Sequence, residues 1–126
     1  EVISRDFFQN LPQGGDVYII CRTLLNWDDH DALRIINNCR EAMHNNATLL
    51  IIDFFAPEKD HFQYKMATLS DINLLNCINS AIRTKNEWQQ LVSQEKFCLN
   101  HIYITPENIE PRTHIPMIIL ELSPKN

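Results

Sequence analysis

Two nearly unbroken apolar runs constrain this chain most: Asp16-Val17-Tyr18-Ile19-Ile20-Cys21 and Ala47-Thr48-Leu49-Leu50-Ile51-Ile52-Asp53. Such runs, rich in β-branched residues, read as strands buried on both faces, as in a parallel sheet. The segment between them has helical spacing, with an apolar stripe through Leu33, Ile36, Cys39 or Arg40, and Met43. Asp28 and Asp29 suit the N-cap, and Asp31 adds charge at the positive end of the dipole. His44-Asn45-Asn46 closes the helix, with an asparagine able to take the left-handed cap. Strand, helix, strand is a βαβ unit, right-handed almost without exception.

Beyond it, Pro57-Glu58-Lys59-Asp60 reads as a polar loop. Met66 to Ile78 reads as a helix despite its asparagines, and Lys85 to Val92 as another, capped by Thr84. Phe97 to Thr105 alternates apolar and polar residues as a strand does, and Ile115 to Leu122 is the last strand. Pro106 and Pro111 frame the connection of what should be an antiparallel hairpin. The order β-α-β-α-α-β-β predicts an α/β fold with a mixed sheet, and 126 residues suit one domain.

Only two glycines occur, Gly14 and Gly15. A glycine-rich first turn of the dinucleotide-binding kind is therefore not in this sequence, nor is a P-loop. A net charge of −5 argues against general nucleic-acid binding, which needs a basic face. No apolar run is long enough to cross a bilayer and no signal peptide is visible, so no membrane partner is expected. Cys21, Cys39, Cys77 and Cys98 form no C-x-x-C pair and read as buried free thiols of a cytoplasmic protein. Asp28-Asp29-His30-Asp31 reads as a capped helix start rather than a metal cluster, because adjacent helix residues point different ways. No metal is expected.

The run Arg22-Thr23-Leu24-Leu25-Asn26-Trp27-Asp28-Asp29 resembles the R-x-L-H-D-W-x-D signature of plant-type S-adenosylmethionine-dependent O-methyltransferases, the caffeate and acetylserotonin class. Other blocks follow in family order. Asp6-Phe7-Phe8 resembles G-D-F-F, with Arg5 for the glycine. Asp31-Ala32-Leu33-Arg34-Ile35-Ile36 and Asn38 to Met43 resemble the helix after the signature. Leu49 to Asp53 resembles the fifth strand, Asp71-Ile72-Asn73-Leu74-Leu75 resembles D-L-N-M-L, and Arg83-Thr84 with Glu87-Trp88 and Leu91 resembles R-T-x-x-E-W-x-x-L. The similarity runs from about Asp6 to Glu121.

This resemblance implies the C-terminal half of a class I (Rossmann-like) methyltransferase domain, with S-adenosylmethionine as cofactor and a hydroxyl of a small aromatic or polyketide-like compound as acceptor. It implies that Asp6 and Phe7 lie against the cofactor's adenine. Trp27, Asn26, Met66, Asn73 and Leu74 stand at acceptor-pocket positions, although core packing explains Trp27 and the helical residues equally well. Asp53 stands where the family carries an acidic residue beside the base; it either survives from that site or caps the following turn. The departures fall on the chemistry. Leu25 replaces the histidine that deprotonates the acceptor, Asn26 the aspartate after it, Cys21 a lysine near the cofactor, and Ile82 the glutamate that orients the histidine. Asn79-Ser80 replaces a glycine pair.

His61, after the second strand, is the best placed histidine to substitute for the lost base. Cys21 reads as an inert thiol rather than a nucleophile. The family's cofactor loop and dimerisation domain would precede Asp6. The strand Asp16–Cys21 would then be an open apolar edge, expected to pair with a companion N-terminal half or with a second copy in a homodimer. This chain alone is expected to be inactive. The alternative is a non-catalytic methyltransferase-like subunit or interaction module.

Overall fold

The apolar runs form the strands that the pattern predicts. The computed structural model describes residues 4–59, 64–78, 80–94, 96–105 and 115–125, without the side chains of Tyr64, Met66, Cys77 and Ile78. The elements are β1 (Val17–Cys21), a 3-10 turn (Leu24–Asn26), α1 (Asp29–Ala42), β2 (Thr48–Phe54), α2 (Tyr64–Ile78), α3 (Lys85–Ser93), β3 (Phe97–Ile104) and β4 (Met117–Pro124). One sheet of order β1-β2-β4-β3 holds the four strands. β1 and β2 are parallel, with Val17 beside Thr48; β4 runs antiparallel to β2 on one side and to β3 on the other. The mixed α/β sheet and its antiparallel terminal hairpin are as expected.

Local chemistry sets the helix starts. The Asp28 side chain accepts the N–H of Asp31 and opens α1. Thr84 and Glu87 form a reciprocal capping box at α3. The end of α1 differs from expectation: Met43 leaves the helix in extended backbone, and neither Asn45 nor Asn46 takes a left-handed conformation. The chain turns there by an Ala47 N–H to His44 carbonyl bond, while the His44 ring accepts the N–H of Asn46. These bonds supply what a left-handed cap would have supplied. At the other end of β1, Gly14 has φ +87°, and the Tyr18 hydroxyl donates within reach of the Pro12 and Ala42 carbonyls, tying this turn to the end of α1.

One face of the sheet carries the core. Leu49, Ile51, Ile118, Leu120 and Leu122 are fully buried against Ile35 and Ile36 of α1 and Trp88 and Leu91 of α3. Each such side chain contributes about 1.5–3 kcal/mol. The opposite face corrects the expectation of strands buried on both sides. Val17 and Ile19 are 54% and 61% exposed, and Leu50, Ile52 and Ile119 are only half-buried. The described helices that cover the sheet pack on one side of it, so alternate residues of β1 face outward. β1 is also an edge strand. A second correction concerns the thiols: Cys39 is buried, but Cys21 and Cys98 are exposed, because they lie on the uncovered face. The Cys77 side chain lies outside the described residues.

Candidate active site

β1 and β2 end side by side, and the chain leaves β1 through Arg22, whose φ is +50°. That left-handed residue turns the chain into the 3-10 turn carrying Leu24 and Leu25, both buried. The turn is held from both sides by groups distant in sequence. Asp53, fully buried near the end of β2, accepts the N–H of Leu25 at 3.2 Å and that of Phe54 at 2.9 Å. The Ser80 hydroxyl donates to the Leu25 carbonyl. Arg83 donates to the Leu24 carbonyl at 3.0 Å, the Trp27 carbonyl at 2.8 Å and the Asp29 carboxylate at 2.8 Å. Its guanidinium also lies over the Trp88 ring. Asp71 of α2 accepts the N–H of Ile82, fixing the segment that presents Ser80 and Arg83.

Both backbone polar groups of Leu25 are thus bonded to side chains, and the direction of its own side chain is set. It packs with Phe54 and Ile82, and with Leu74, Ile115 and Met117 around them. Beside this cluster is a cavity of about 340 Å³ walled by Leu25, Phe54, Leu74, Ile82 and Ile115. Its polar lining among the described residues is Ser70 and Asn73, both on α2. Burial pushes the Asp53 carboxyl above the usual carboxylate range, while the N–H groups of Phe54 and Leu25 and the charge of Arg83 pull the other way. Its hydrogen bonds point into the turn, so Asp53 acts here as a brace.

A second, larger cleft of about 730 Å³ lies between the start of α1, α2 and the start of α3, with Trp27, Asp71 and Arg83 on its walls. Trp27 therefore lines a different space from Leu25. Its ring packs edge-on against Phe7 and Phe8, with centroids 5.9 and 4.8 Å away, and Arg34 lies over Phe8. Asn26 is exposed. Asp6 is exposed and spends its carboxylate on Phe8 N–H and the Gln9 amide. Cys21 is exposed at the end of β1. Asn73 and Leu74 reach the Leu25 cavity, and the Met66 side chain lies outside the described residues, as do His61, His114 and Asn79. Asp28, His30 and Asp31 bring ligand atoms within 4.8 Å of one another, but Asp28 caps α1 and Asp31 pairs with Arg34.

The model of the O-methyltransferase domain family matches residues 1–98, and the chain belongs to that family. Among curated relatives, O-methyltransferase SfmM3 of Streptomyces lavendulae is 31% identical over 113 residues, covering 86% of this chain and 34% of that protein. Aclacinomycin 10-hydroxylase RdmB of Streptomyces purpurascens is 36% identical over 86 residues, covering 68% and 23%. The structure of LepI in complex with S-adenosylmethionine superposes with a TM-score of 0.81 at 24% identity, over 96% of this chain and 29% of that one. The fold is that of class I methyltransferases. The chain spans about a third or less of the length of these proteins.

S-adenosylmethionine is the family's cofactor, and the residues present fit only part of it. Gly14 and Gly15 precede β1, at the end of the sheet opposite the turn that holds Leu25, so they are not a phosphate- or donor-binding loop of the usual placement. Phe7 packs against Trp27 and α1 while Cys21 lies on the uncovered face of the sheet, so the structure does not bring Asp6, Phe7 and Cys21 together in one site. The sequence holds no glycine-rich loop that would supply the rest of the donor site. The brace made by Ser80, Arg83 and Asp71 was not anticipated from the sequence. Its one signal was the Arg83-Thr84 block, which carries no hint of partners more than 50 residues away.

Proposed function

We propose that this chain is the C-terminal part of the catalytic domain of a S-adenosylmethionine-dependent O-methyltransferase of the caffeate and acetylserotonin class, one with leucine at the position of the acceptor-side base. The family reaction moves a methyl group to a hydroxyl of a small aromatic compound. The observation that carries the proposal is Leu25: its backbone is pinned by Asp53 and Ser80, and its side chain sits with Ile82 in one apolar cluster. The position of the base and the position of its orienting partner have both become aliphatic, and they face each other.

Holding an acceptor beside a methyl donor supplies much of the barrier reduction, and a positioned general base adds about 10²–10⁴-fold. A site built this way would serve acceptors that are already ionised and fail with those that need deprotonation. The isolated chain is inactive in this reading, because residues 1–126 carry no glycine-rich donor loop and the N-terminal half of such a domain supplies it. The exposed apolar face and free edge of β1 are where that half, or a second copy of the chain, would pair. A cytoplasmic setting belongs to the same reading, since the exposed thiols Cys21 and Cys98 suit a reducing compartment.

The test is a radiolabelled methyl-transfer assay of the purified chain with S-adenosylmethionine and 2-naphthol. No transfer above background is expected; turnover by the chain alone would refute the reading. Sedimentation velocity tests the pairing: association is expected, weakened by I19K, and a clean monomer at high concentration would remove the idea. The other reading, a non-catalytic subunit, rests on the same exposed face of β1. It gains if a companion carrying a glycine-rich loop associates with the chain without restoring donor binding.

A further inference from the structure

Helix α2 borders two spaces and fills neither. Among its described side chains only Ala67 is buried. Ala67, Thr68, Asp71 and Leu75 line the cleft of about 730 Å³, while Ser70, Asn73 and Leu74 line the Leu25 cavity. A third face carries Leu69, Ile72 and Leu75, which are 56%, 51% and 57% exposed. At about 3.6 residues per turn the cleft face lies between the other two, and the apolar stripe follows it by roughly a quarter turn. Leu75 belongs to both. The Asp71 carboxylate, which accepts the Ile82 N–H at 2.6 Å, holds α2 in this position, as does Leu74, half-buried against the Leu25 cluster.

We propose that α2 has a second seat, reached by roughly a quarter turn about its own axis, in which Leu69, Ile72 and Leu75 face the larger cleft and Asp71 faces the Leu25 cavity. Helices that shift between discrete positions are a recurrent switching device, and an element with few buried apolar contacts opens more readily than the core around it. Burying the stripe favours the second seat. The Asp71 bond and the Leu74 contact favour the first, and the structure shows that they prevail. The turn exchanges Ser70 and Asn73 for a carboxylate on the wall of a cavity where Leu25 and Ile82 offer no base. That consequence rests on the base-free reading of the family site; the movement does not.

The experiment is methyl NMR of the purified chain and of its D71A and D71N variants. In the unaltered chain the Leu69, Ile72 and Leu75 methyls should show relaxation dispersion from a second seat populated at about 1–10%, and the buried Ile35 and Ile36 methyls of α1 should not. D71A removes the bond that holds the first seat and should raise that population about tenfold. Its Ile72 methyls should then show contacts to the Ala56 and Ala81 methyls on the cleft wall. D71N weakens the same bond, and its side-chain amide protons should show contacts to Phe54 and Ile115. If D71A does not fold, D71N and the dispersion of the unaltered chain decide. Flat dispersion profiles for the α2 methyls, no cleft contact from Ile72, or random-coil shifts throughout α2 would overturn the proposal. Methyl transfer by the chain alone would refute the base-free reading and leave these NMR results unchanged.

Discussion

The Asp53 carboxylate accepts the backbone N–H of Leu25 at 3.2 Å, joining the ends of the two parallel strands through a fully buried acid. Burial raises the proton affinity of Asp53 in the folded state. The folded chain then binds more protons than the unfolded one near this group. Its stabilising contribution is complete below the ordinary carboxylate pKa and is lost as pH rises through the raised folded value. D53N keeps an oxygen for one N–H and leaves the other without an acceptor, a loss of about 1–3 kcal/mol. Urea unfolding of both proteins from pH 4 to 8 should show a deficit in D53N that shrinks as pH rises. A deficit growing with pH would reverse the assignment.

Arg83 stakes more. Its side chain is 8% exposed and satisfies two main-chain carbonyls of the signature turn. The ion pair with Asp29 adds little, since that carboxylate is 74% exposed and screened by solvent. R83A should lower unfolding free energy by about 3 kcal/mol through the stranded carbonyls, and R83K by about half as much, because an ammonium cannot reproduce the planar fork. No loss in R83K would mean that charge alone matters here.

Restoring the base at its old position should fail in a defined way. L25H puts an imidazole among the apolar side chains of Phe54, Ile82 and Leu74, with the Asp53 oxygens engaged by the Leu25 and Phe54 N–H groups. Desolvation should hold its pKa below about 6.5, so the variant loses further stability as pH falls through the ordinary histidine range. Adding I82E should raise that pKa again. Proton NMR of the ring across pH reads both, and an unshifted histidine in the single variant would show that the site is wet.

The thiols should separate cleanly. Cys39 is buried and its pKa is pushed up to about 11, whereas Cys21 and Cys98 are exposed. Ellman's reagent on the native chain should label Cys21 and Cys98 and spare Cys39 until denaturant is added, as peptide mapping would show. Early labelling of Cys39 would place α1 away from the sheet.

What the sequence revealed tracks how local the cause is. The Asp28 cap and the Thr84 start of α3 were readable because their hydrogen bonds span three residues. The hairpin was readable from alternation in Phe97–Thr105. The one-sided burial of β1 was not: Val17 and Ile19 have the same composition whether or not a layer covers them. Arg22 at φ +50° gave no sign, because a bulky side chain rarely adopts that conformation. Leu25 was identified as the replaced base from its motif, but its pairing with Ile82 and the brace by Ser80 and Arg83 depend on contacts more than 50 residues apart. Trp27 was assigned by resemblance to the acceptor side; its ring packs against Phe7 and Phe8, and it lines the larger cleft, which shares Ile82 with the Leu25 cavity.

Of the four described strands, the last in chain order lies inside the sheet: β4 is inserted between β2 and β3. On the ribosome, β1 and β2 can pair while β3 waits with its partner still inside the exit tunnel. Until Met117–Pro124 emerges, β3 has no partner and β2 keeps an open edge. Premature termination a few codons upstream would therefore release a β1–β2 pair and an unpaired β3 on one chain, each showing raw backbone to the chaperones that meet it.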